Sequence, residues 1–127
     1  MTDDVYIKES LVDGKIVSYS FVSTGSEAAE KWYTEIVNLF SSWDNRIPLL
    51  LLVDLCQANN LLSAEMMKTA REASRERPDV PGKTAVVVDS HESSLNVKAL
   101  LDHVLAETRP RRLFSNHDEA IAWLLES

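Results

Sequence analysis

Pro48-Leu49-Leu50-Leu51-Leu52-Val53-Asp54 is apolar without alternation, and it is far shorter than the roughly 20 residues that span a bilayer. Successive side chains of a strand point to opposite sides of its sheet, so a strand without alternation must be covered on both faces. The run therefore predicts the central strand of an α/β sandwich. Lys83 to Asp89 holds a second such run, Thr84-Ala85-Val86-Val87-Val88, which is largely β-branched and ends, like the first, in an aspartate. It is expected to lie beside the first.

The segments around these two runs have readable periods. Tyr6 to Val12 and Ile16 to Ser23 are strand-like and flank Asp13-Gly14, a pair that tolerates the positive φ of a tight hairpin turn. Alternation in the second segment predicts a sheet partly open to water there. Thr24-Gly25-Ser26-Glu27 has capping-box spacing, so a helix should start there. Ala29, Trp32, Ile36, Phe40 and Trp43 follow at steps of three and four, a stripe that reads as core packing rather than a ligand box. A helix from Ser63 to about Arg77 would bury Met66, Met67, Ala70 and Ala73, and another from about Ser94 to Glu107 would bury Val97, Leu100, Leu101, Val104 and Leu105. Arg111 to Phe114 reads as a short strand before a helix capped by Asn116-His117-Asp118-Glu119, with Ala120, Ile121, Leu124 and Leu125 as its buried stripe. The order ββαβαβαβα predicts a mixed, mostly parallel five-stranded sheet with an N-terminal β-hairpin and about four helices.

At 127 residues the chain is expected to form one domain over its whole length. Its formal charge of −7 repels a phosphate backbone, so nucleic acid is not expected as a partner. The opening Met1-Thr-Asp-Asp-Val is acidic where a signal peptide is basic and then apolar. With no apolar run of spanning length, an integral membrane protein is not expected either, and a cytoplasmic location is. Cys56 is the only cysteine, so no internal disulfide forms and no thiolate cluster is at hand for a metal. No cofactor is expected.

The central strand Leu50-Leu51-Leu52-Val53-Asp54-Leu55, together with Arg112-Leu113-Phe114-Ser115-Asn116 leading into Glu119-Ala120-Ile121-Ala122-Trp123-Leu124, resembles the SpoIIAA-like branch of the STAS and Sec14-like proteins. The likeness spans nearly the whole chain. In the anti-sigma-factor antagonists of that family the loop after the central strand carries Asp-Ser-Ser-Gly or a close variant, whose second hydroxyl is phosphorylated by a partner kinase. The matching stretch here is Leu62-Ser63-Ala64-Glu65. Ala64 has no hydroxyl to modify, and the Glu65 carboxylate would oppose a phosphate. The resemblance thus implies the family fold without its phosphorylation switch, and Ser63 reads as a helix N-cap.

Parallel strands ending at Asp54 and Asp89 bring two polar loops to one edge of the sheet, where open α/β folds bind ligands. Asp54, Asn59, Asn60, Ser63, Met67, Asp89, Ser90, His91 and Ser93 are therefore the candidate ligand- or partner-binding residues. Asp89-Ser90-His91 contains hydrolase residue types, but adjacent residues rarely face one another and no Gly-x-Ser-x-Gly elbow is present. His103 and Glu107 are four apart on a helix without a third ligand at a suggestive spacing. Cys56 reads as a small buried side chain. Arg109, Arg111 and Arg112 form the one compact basic cluster, able to dock an acidic partner.

With no catalytic residue assigned, the expectation is a non-enzymatic regulatory or protein-interaction domain of bacterial type, meeting its partner through the surface near Ser63. The alternative is a small-molecule or lipid-head-group binder of Sec14-like type, which needs a pocket. A homodimer is compatible with either.

Overall fold

Leu49–Asp54 forms β3, the middle strand of a five-stranded sheet, in the computed structural model of the chain, which describes residues 6–22, 26–56, 68–69, 72, 79–88 and 110–126. The sheet runs β1 (Tyr6–Leu11), β2 (Ile16–Phe21), β3, β4 (Gly82–Val87) and β5 (Arg111–Phe114) in sequence order. β1 is antiparallel to β2, and every other neighbouring pair is parallel. Two helices lie among the described residues, α1 (Ser26–Ser42) and α2 (His117–Leu125), against about four expected. The expected helices from Ser63 to Arg77 and from Ser94 to Glu107 fall outside the described residues, apart from Lys68, Thr69 and Glu72, which are helical.

The unbroken leucine run does what its lack of alternation demands. Leu49, Leu51 and Val53 point into one core, where Tyr19, Phe21 and Val86 meet Ala29, Trp32, Ile36 and Phe40 of α1. Leu52 points into the other, with Ile16, Ala85, Val87 and Phe114 against Ala120 and Leu124 of α2. Each large side chain so buried contributes about 1.5–3 kcal/mol. The α1 stripe is core as expected, with Trp43 past the helix end and half-buried. On α2 the expected stripe is narrower. Leu125 remains 42% exposed, because it lies about 100° around the helix from Leu124.

The N-terminal hairpin forms, with shorter strands than expected, ending at Leu11 and Phe21. Lys15 N–H donates to the Val12 carbonyl at 3.1 Å, closing a turn with Asp13 and Gly14 at its centre. Their φ of 55° and 84° are the left-handed values of a type I′ turn. β2 is not partly open to water as the alternation suggested: even Ser18 is 3% exposed. β1 takes the edge of the sheet and leaves β2 internal, and it is β1 that faces solvent. β4 starts at Gly82 and stops at Val87, one residue earlier at its start and two earlier at its end than the sequence suggested, because Leu49 N–H takes the Pro81 carbonyl at 2.8 Å and sets the parallel register there.

Candidate functional site

The parallel strands deliver Asp54, the last residue of β3, to the carboxyl edge of the sheet on the face covered by α2. β5 ends at that same edge, and Ser115-Asn116 turns the chain into α2. Asn116 is extended and its side-chain oxygen accepts the Glu119 N–H at 2.8 Å, the N-cap expected from the sequence. The cap sets the first helical residue, His117, over the strand ends. Its Nε2 lies 2.6 Å from Asp54 Oδ2, between residues 63 apart in the chain.

Asp54 is tightly held. Its other oxygen accepts the Cys56 N–H at 2.8 Å, and its side chain is 14% exposed while that of His117 is 46% exposed. Burial pushes the Asp54 carboxyl up, but hydrogen bonds from the Cys56 amide and thiol, and then from His117, outweigh it and leave the group below the usual carboxylate range. An ionised carboxylate carries no proton to give, so the proton of the short bond sits on His117 Nε2. The ring is thereby oriented by its less exposed partner. Its remaining nitrogen is the one whose hydrogen bonding can change, as acceptor in the neutral ring or donor in the charged one.

Of the residues singled out from sequence, Asp54 is the one that the structure describes at this edge. Asn59, Asn60, Ser63, Met67, Asp89, Ser90, His91 and Ser93 lie outside the described residues, as do Ala64, Glu65, His103, Glu107 and Arg109. Cys56 is half-buried against the second core. His117 was read only as part of a cap. The available signal was its position as the first helical residue after a parallel strand, which places it at the edge where β3 ends in an aspartate.

A second polar cluster sits on the opposite face. Glu35 Oε2 accepts from Lys8 Nζ at 2.6 Å and from the Tyr19 hydroxyl at 3.0 Å, joining β1, β2 and α1. Burial, then the Glu35 charge, pushes the Tyr19 phenol far above its ordinary range. Burial also pushes Glu35 up, but the Lys8 and Tyr19 bonds prevail and lower it. Among the described residues no three His, Cys, Asp or Glu side chains gather as a metal site requires. Two clefts open to solvent are lined by described residues, one of about 590 Å³ beside Glu30, Tyr33 and Lys68 and one of about 500 Å³ between the hairpin turn and Trp43, Ile47 and Pro48. Neither includes Asp54 or His117.

This architecture is a SpoIIAA-like fold. The chain is similar, over 98% of its length and 98% of the other's, to the crystal structure of an uncharacterised protein of the DUF3478 family with a SpoIIAA-like fold from Shewanella loihica PV-4, at 12% sequence identity and a TM-score of 0.65. No family model matches the sequence, and no curated protein matches it. No helix among the described residues is long and apolar enough to cross a membrane.

Proposed function

We propose that this chain is a non-enzymatic regulatory or protein-interaction domain that meets its partner at the carboxyl edge of the parallel strands. The observation that carries this reading is the half-exposed His117 held on the less exposed Asp54. An imidazole oriented by a fixed carboxylate presents one hydrogen-bonding nitrogen at a defined angle, which suits selective recognition of a polar group. The alternative is a small-molecule or lipid-head-group binder of Sec14-like type, which needs a pocket. Ala64 in the place of the family's phosphorylated hydroxyl favours recognition without that switch.

The test is native mass spectrometry of protein purified gently from its own host, run on the natural chain, Asp54→Asn and His117→Gln. A second polypeptide retained by the natural chain and lost in both variants is the expected result. A defined small mass on each subunit, unaffected by either substitution, would overturn the reading in favour of a small-molecule binder.

A further inference from the structure

Among the described residues, the last strand of the sheet has an unpaired side. Pro110 and Phe114 direct their carbonyls to β4, accepting from Thr84 N–H at 2.9 Å and Val88 N–H at 3.0 Å. Because backbone direction alternates along a strand, Arg111 and Leu113 present their N–H and C=O groups outward instead. β5 closes the strand order, so among the described residues no strand takes up these groups.

At this edge the Arg112 charge is without a carboxylate partner among the described residues. Lys8, Lys31 and Arg46 each pair with a carboxylate, and Lys83 binds the carbonyls that end α2. The exposed Arg112 guanidinium instead rests 5.3 Å from the Phe114 ring centre and has no carboxylate among the described residues. In a chain of net charge −7 the sequence Arg109-Pro110-Arg111-Arg112 is locally basic.

We propose that the open edge of β5 docks an extended, acidic segment of a partner protein by strand addition. Backbone bonds to Arg111 and Leu113 would supply the pairing, and a carboxylate on the added strand would face Arg112. A second copy of this chain fits less well, since antiparallel addition about Arg112 sets Arg112 against Arg112, and like charges directly opposite are destabilising. β5 leads through Ser115 and Asn116 to His117, while β4 and β5 stand between the open edge and the strand that carries Asp54, so the two sites adjoin through the start of α2 and remain distinct. The inference rests on the protein-recognition reading and gives it a partner chemistry.

The test uses the whole chain and a fluorescein-labelled peptide of alternating Glu and Val, with alternating Lys and Val as control. Anisotropy should show binding of the acidic peptide alone, weakening as salt is raised. Amide shifts and slowed hydrogen exchange should centre on Arg111 and Leu113. Arg112→Glu should weaken binding by about tenfold or more, equivalent to one charge-assisted contact. Arg111→Pro, which removes one outward donor and leaves the bonds to β4, should weaken it as well. The proposal fails if the acidic peptide does not bind at about 1 mM, if the basic peptide binds as well, or if the shifts map elsewhere. Edge protection that rises with protein concentration in the absence of peptide would overturn it in favour of self-pairing. If Asp54 and His117 variants lose a native partner while the acidic peptide does not bind, the β5 assignment falls and the recognition reading stands.

Discussion

At Gly82 a single added carbon decides whether β4 can pair. The residue has φ of 153°, and a Cβ there would land on the carbonyl of Leu49 in the neighbouring strand. Gly82→Ala should therefore cost about 3 kcal/mol or more, read as a lower urea midpoint; a loss under about 1 kcal/mol would mean that the strands separate without penalty. Val12 is the opposite case, a β-branched residue held at φ of 52°. Asn tolerates that conformation far better, so Val12→Asn should raise stability by about 1 kcal/mol. An unchanged urea midpoint would sink that account. The Asp13-Gly14 turn was legible because those residue types favour positive φ by themselves. Val12 was not, because its own preference is overridden by the register that pairs Leu11 with Ile16.

At the scale of elements, α2 is fastened at both ends by different means. Its N-terminus uses local sequence, with the Asn116 cap and Asp118 and Glu119 in the first turn, where acid meets the positive end of the helix. Its last turn has no basic residue. The cation comes from β4: Lys83 Nζ donates to the Trp123 and Glu126 carbonyls, each at 2.8 Å, and lies 5.1 Å from the Trp123 ring centre. Lys83→Met should lower stability by about 1 kcal/mol and speed amide exchange selectively at residues 124–126. Uniform acceleration across the chain would instead assign Lys83 a role in the sheet. The first cap could be read from the sequence and the second could not, since 40 residues separate Lys83 from Trp123. The α1 stripe was legible for the same local reason as the first cap.

For the whole molecule, the carboxylates of Asp54, Glu35 and Asp44 lie below their ordinary range in the folded state, and the first two are held by contacts between distant parts of the chain. A folded value below the unfolded one means that their stabilisation is present above about pH 4 and is lost as the pH falls through the folded values. Asp54→Asn and Glu35→Gln should each lower stability at pH 7 and flatten its decline with acid, so that variant and natural curves converge at low pH. Parallel curves would show that neither group couples folding to protons. The types of the five strands and of α1 and α2, the two-sided burial of β3 and the turn at Asp13-Gly14 were determined by the sequence itself, because periodicity and φ preference act within a few residues. The edge where Asp54 ends was foreseeable from parallel pairing. That His117 is the residue resting on it was decided only by tertiary structure, because side chains 63 residues apart meet only once β3, β4 and β5 are in register and α2 has packed across them.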